Sequence, residues 1–249
     1  MEPSNRLPAE EYVIRLTSIY LRATPAEISV TPAETMWYDG FMALVPVKLP
    51  DSLPAAPPKV AAFISDAQSR IDTFIESHLA EPVNAFVPSN FPLVYGALLE
   101  IANLHLAPGR LLCEWGSGAG VVTCLAEMVG FDACGIEFDA DLVALSEQLA
   151  DDYHLKTGFY RGNLVPHAGQ GIAEQVDEFA WLAVGGPDPY DEMDLDIDDF
   201  DVIFAYPWPG EQGVVKDLFD RFAADGALLA TYNGTEGIHL FRRRSDRAL

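Results

Sequence analysis

Glu114, Gly116, Gly118 and Gly120 stand at alternate positions in "LLCEWGSGAG", directly behind a short apolar run. Glycines this dense at the end of a strand let the backbone turn sharply and pass close to a ligand, because no Cβ stands in the way. Three chemistries use such a strand-to-helix turn, and spacing separates them. A phosphate-cradling P-loop needs a lysine right after its last glycine, and no lysine follows here until Lys156. A nucleophile elbow needs glycines two positions either side of its serine, where Ser117 has Trp115 and Ala119. A dinucleotide fingerprint needs its third glycine where this chain has Val121, a branched residue that would crowd the pyrophosphate side of the helix.

The elements that must position this turn are legible around it. "RLLCEW" is apolar on consecutive positions, the pattern of a strand buried on both faces. Val121, Leu125, Met128 and Val129 then recur at helical spacing over Ala119 to Val129, with Gly130 as the stop. "DACGIEF", "TGFYRGN", "DFDVIFAY" and "GALLATY" read as further strands. Between them, Leu142, Leu145, Leu149 and Tyr153 mark one helix, and Val214, Leu218 and Phe222 another. This alternation predicts βαβ units and a parallel sheet. The Asn233-Gly234 pair predicts a turn into a last, antiparallel strand from Ile238 to Arg243. Upstream, "SNFPLVYGALLEIANLHLAPG" reads as a helix with Ser89 or Asn90 as its N-cap. Residues 1–82 differ in kind, with β-prone pieces "YVIRLTSIYL" and "FMALVPVKL", a Pro-rich break and a helix from Val60 to Leu79. They are expected to form an N-terminal extension packed on a main domain of residues 83–249.

The E-x-G-x-G-x-G spacing resembles the first motif of the class I S-adenosylmethionine-dependent methyltransferases, over roughly Phe86 to Phe241. The resemblance implies an α/β, doubly wound, mostly parallel Rossmann-like sheet. With so few residues after Tyr232, six strands in the order 3-2-1-4-5-6 are expected, the last antiparallel. It also implies S-adenosyl-L-methionine as cofactor, with Gly116, Ser117, Gly118 and Gly120 passing close to it and Glu114 near its amino group. Glu137, at the end of the second strand, is placed to accept hydrogen bonds from both ribose hydroxyls, as a carboxylate can. Phe138 follows it, and Asn163 falls at the end of the third strand, where the family often sets Asp or Asn against the adenine amino group. The fourth strand ends in "AYPWPGE". Ligands of open α/β sheets lie outside the carboxyl ends of the strands, so Tyr206, Pro207 and Trp208 become the acceptor-pocket candidates. Some amino-group methyltransferases carry Asn or Asp, two prolines and an aromatic there; only Pro207 matches, which argues against nucleobase and glutamine-amide acceptors. The lead-in "FVPSNFPLVYGALLEIANL" is similar to that of compact bacterial and mitochondrial-type protein lysine methyltransferases.

Composition narrows the partners. The formal net charge of −23 over 249 residues repels phosphate backbones and draws in cations. An amine on a protein or small molecule is therefore expected as acceptor, with no nucleic acid and no membrane as partners. The basic "FRRRSDR" run near the C-terminus is expected to be a solvated end. "MEPSNRLPAEEY" lacks the pattern of a signal peptide, and no apolar run is long enough to span a bilayer, so a cytoplasmic protein is expected. Cys113, Cys124 and Cys134 lie in apolar stretches without CxxC spacing and read as buried thiols. The acidic "DPYDEMDLDIDDFD" fails as an EF-hand begun at Asp194, with Asp199 in place of the glycine and Ala205 in place of the glutamate. No metal is expected. Two alternatives stay open: a non-catalytic nucleoside-binding or scaffold protein of the same fold, and an aminopropyl transferase.

Overall fold

The structure is a computed structural model that describes residues 43–78, 86–173, 186–208 and 210–244. The "YVIRLTSIYL" segment and the boundary at residue 82 lie outside the described residues.

Seven strands form one sheet: β1 (Ala43–Val47), β2 (Leu111–Trp115), β3 (Asp132–Glu137), β4 (Gly158–Arg161), β5 (Val202–Ala205), β6 (Leu228–Tyr232) and β7 (Ile238–Arg244), ordered β1-β7-β6-β5-β2-β3-β4. β2 through β6 run parallel to one another, while β7 runs antiparallel to β6 and to β1. Read from the β4 edge, the six expected strands keep the order 3-2-1-4-5-6. The correction is the seventh: β1, from the upstream "FMALVPVKL" piece, pairs with β7 and extends the sheet. Asn233-Gly234 does not close a two-residue hairpin either, since a 3₁₀ turn over Gly234–Glu236 lengthens the connection to β7.

Helices α1 (Pro58–Ser77), α2 (Phe91–Asn103), α3 (Val121–Met128), α4 (Ala140–Asp152), α5 (Gln170–Ala173), α6 (Pro189–Met193) and α7 (Gln212–Phe222) complete the fold. The strands explain the layering. Leu112, Val202, Phe204 and Leu228 pack on one face with Val94 and Leu98 of α2 and Val122 and Leu125 of α3. The alternate residues Cys113, Ile203 and Leu229 pack on the other face with Val215, Leu218 and Phe219 of α7. Both faces are covered, so consecutive apolar residues are all buried, as in other doubly wound sheets.

The basic run near the C-terminus is not a solvated end where the structure describes it. Phe241 to Arg244 belong to β7, Arg243 is buried, and its guanidinium donates to the carbonyls of Asp220 (2.8 Å) and Ala223. The neighbouring Arg242 donates to the Leu106 carbonyl at 2.7 Å. These arginines satisfy carbonyls of α7 and of the loops after α2 and α7.

Candidate functional site

At the carboxyl end of β2 the chain makes three positive-φ residues in alternation: Gly116 (71°), Gly118 (54°) and Gly120 (69°). A side chain in this region of backbone space is strained, so the glycines are a requirement of the turn. The Gly116 and Ser117 N–H groups both donate to the Ile136 carbonyl at 2.9 Å, tying the turn to β3. On its other side, Ser146 Oγ of α4 lies 2.9 Å from the Gly118 carbonyl.

Two carboxylates sit under and beside the turn. Glu114 is buried, and its Oε2 accepts from Thr123 twice, from the N–H at 2.9 Å and from Oγ1 at 2.6 Å. Burial pushes its carboxyl up to about 8 against the opposing pull of the Thr123 donors, and nearby Glu137 adds to the rise. Glu137 accepts the Gly118 N–H at 2.8 Å through Oε2 and the Asp139 N–H at 2.9 Å through Oε1. Burial raises it too, again opposed by those backbone donors.

A cavity of about 660 Å³ opens over these groups and continues to the end of β5. Glu114, Gly116, Ser117, Gly118, Glu137, Phe138 and Asn163 line it, and so do Tyr206, Pro207 and Trp208. The sequence therefore names one contiguous site. Phe138 is half exposed at the cavity wall, and buried Asn163 accepts the Val165 N–H at 2.9 Å through Oδ1. The Tyr206 ring meets Tyr232 edge-on, with centroids 4.7 Å apart. Gly120 is the exception, because it does not line the cavity. It is the N-cap of α3, and a Cβ there would lie 2.5 Å from the Phe159 ring and 2.7 Å from Ser146 Cβ. Its role in this structure is close packing of the turn against α4 and β4.

The structure adds residues that sequence reasoning passed over. Phe86, Val87 and Pro88 wall the turn, with the Phe86 ring 2.7 Å from where a Gly118 Cβ would stand. His78, Asp141 and Glu211 line the cavity as well. Glu211 is only 4% exposed, and its Oε2 accepts the Trp208 N–H at 3.1 Å. Nothing in "PWPGEQ" distinguishes it from an ordinary acid ahead of a helix.

The strand order, the left-handed glycine turn after β2 and the acid at the end of β3 together define a fold of the class I S-adenosylmethionine-dependent methyltransferase type. A protein-L-isoaspartate O-methyltransferase 1 of Arabidopsis thaliana is 30% identical over 112 residues, which cover 44% of this chain. The match spans about half the length of that relative, 46%. No protein-family model matches the chain. Among solved structures, the chain is similar to an RNA methyltransferase from Salinibacter ruber in complex with S-adenosyl-L-homocysteine, at 19% identity over 66% of this chain and 96% of that one, with a TM-score of 0.45. It is also similar to the S-adenosylhomocysteine-bound methyltransferase PaMTH1 of Podospora anserina, at 10% identity over 93% of this chain and 71% of that one, with a TM-score of 0.44. The strand order and the turn, rather than these likenesses, identify the fold. Among the described residues, no helix is long and apolar enough to cross a membrane.

Proposed function

We propose that the chain is an S-adenosylmethionine-dependent methyltransferase whose acceptor is an amine on a small molecule or a protein side chain. The observation that carries the reading is the single cavity that joins the glycine turn and its two buried carboxylates to the aromatic end of β5. The residues present fit the cofactor. A Cβ at Gly116 would meet nothing within 4 Å, so the turn leaves open space for a ligand beside its backbone. The acidic lining suits a cationic molecule, since Glu137, Asp139, Asp141 and Glu211 line the cavity beside Glu114, whose carboxyl titrates near 8, and no lysine or arginine does so among the described residues. When bound, the cofactor supplies a methyl group on a positively charged sulfur.

The chain's own task is then orientation and field rather than nucleophilic attack. Glu114 is fixed by Thr123, and Glu137 is fixed by the turn it borders, so both present carboxyl oxygens with little reorganisation. The acceptor enters at Tyr206 and Trp208. The Arabidopsis relative's name points to a carboxylate acceptor, but a second anion in a cavity lined by five acids and, among the described residues, no lysine or arginine would be repelled. The net charge of −23 works in the same direction against nucleic acid.

Calorimetry should give micromolar binding of S-adenosylmethionine and of S-adenosylhomocysteine, roughly 7 to 8 kcal/mol. Glu137→Ala should weaken both by about 2 to 4 kcal/mol, because a buried bidentate acceptor is lost. Tighter binding of a nicotinamide dinucleotide would overturn the cofactor, and efficient methyl transfer to RNA or DNA would overturn the acceptor.

A further inference from the structure

We infer that Glu211, together with Tyr206 and Trp208, forms an acceptor subsite that takes the N–H groups of a cationic amine; this rests on the methyltransferase reading above. Two features of Glu211 point there. It is buried to 4% exposure and yet lines the cavity, beyond the end of β5, the strand that pairs with β2. A helix start needs no such residue, since a short Ser, Asp or Asn caps it without placing an acid in a cavity.

The carboxylate is also held still. Its Oε2 accepts the Trp208 N–H at 3.1 Å, the Glu211 N–H donates to the Trp208 carbonyl at 2.9 Å, and the Val215 N–H donates to the Glu211 carbonyl at 3.0 Å. It thus stands at the start of α7, where the helix dipole favours an anion. Tyr206 and Trp208 border the same part of the cavity and add ring faces that attract cations. No lysine or arginine among the described residues lines the cavity. A carboxylate that accepts several N–H donors, flanked by aromatic faces, recognises an ammonium or guanidinium and repels carboxylates and phosphates. The competing view is that Glu211 only braces the turn from Trp208 to Glu211.

Glu211→Gln separates the two, because it keeps the size of the side chain and an oxygen for the Trp208 N–H while removing the charge. The measurement is calorimetric titration of the S-adenosylhomocysteine-loaded chain with spermidine and with a short lysine peptide, at about 0.3 M salt so that long-range surface attraction is screened. S-adenosylhomocysteine affinity should stay within about twofold of wild type, whereas amine affinity should fall at least tenfold. Acetylating the peptide's lysines should abolish its binding to the wild type, a result that depends on no variant folding. Equal amine binding by wild type and Glu211→Gln, indifference to acetylation, or wild type that binds neither amine would overturn the subsite. If S-adenosylhomocysteine itself fails to bind the wild type, the methyltransferase reading falls instead.

Discussion

At the β2–β3 end of the cavity, Glu114 and Glu137 are each engaged by donors of the local framework: Thr123 holds Glu114, and the N–H groups of Gly118 and Asp139 hold Glu137. At the β5 end, Glu211 is held by one turn, beside the aromatic residues Tyr206 and Trp208. The first end is made by backbone geometry, in which glycine dihedrals and strand register leave few alternatives. The second is made by side chains that a different sequence could replace without changing the fold. A common cofactor with a variable acceptor calls for this division, because the shared ligand needs a fixed cradle while specificity needs replaceable walls.

The sharpest way to break the comparison is through Glu114. Its carboxyl titrates near 8 in the folded protein and near 4.5 in an ordinary environment. Between those values the folded chain keeps a proton that the unfolded chain has released. Stability therefore falls as pH rises through that window and levels off above about 8, a loss on the order of 5 kcal/mol. Glu114→Gln keeps an acceptor for Thr123 and should flatten that decline, seen as urea-unfolding free energies at pH 5.5 and 8.5. A cation bound beside Glu114 favours its charged form, so wild-type affinity for S-adenosylmethionine should also rise with pH across the upper part of the same window. An unchanged pH slope in the Gln variant would mean that Glu114 is not the buried acid that governs this end.

A smaller effect separates two glycines of the same turn. Gly120→Ala would drive its methyl into Phe159 and Ser146 at a φ of 69°, whereas Gly116→Ala has the same kind of φ and open space. The first should cost about 3 kcal/mol of stability, combining left-handed strain with overpacking, and the second only about 1 to 2. Gly116→Ala should instead weaken cofactor binding, because its methyl enters the cavity. Thermal unfolding and calorimetry on both variants check this, and equal stability losses would show that Gly120 is not a packing residue.

The same contrast explains what could be read from the chain. The alternating glycines were legible because a left-handed turn restricts the residue choice at each position, and "RLLCEW" because a strand covered on both faces must be apolar throughout. β1 was harder to place: Pro46 sits inside it, opposite Phe241, and a Pro-rich stretch follows. Proline is tolerated there because β1 is an edge strand, yet in sequence it argues against a strand. Gly120 carries the same signature as its two partners although it packs against Phe159 rather than lining the cavity. Spacing reports backbone conformation, not which way the open side of a glycine faces. Glu211 gave no signal, since burial and cavity lining arise only when β5 and α7 close over segments more than a hundred residues distant, such as Phe86 to Ser89.

Trp208→Ala tests the replaceable end most gently. If Trp208 offers a ring face to a cationic acceptor, its loss should weaken binding of spermidine or a lysine peptide by roughly 0.5 to 2 kcal/mol, or about 2- to 30-fold. S-adenosylhomocysteine affinity should fall less than amine affinity, because the glycine turn and its carboxylates, rather than Trp208, form the proposed cofactor cradle. The backbone N–H that Glu211 accepts survives the substitution, so a loss of amine binding would report the indole ring rather than a displaced carboxylate. The combination with Glu211→Gln decides how the subsite is built. Two groups that grip one amine should give losses that fall short of their sum once either is removed, whereas groups serving separate contacts should add. Strictly additive losses would split the subsite in two, and an equal drop in S-adenosylhomocysteine affinity would move Trp208 to the cofactor's side of the comparison.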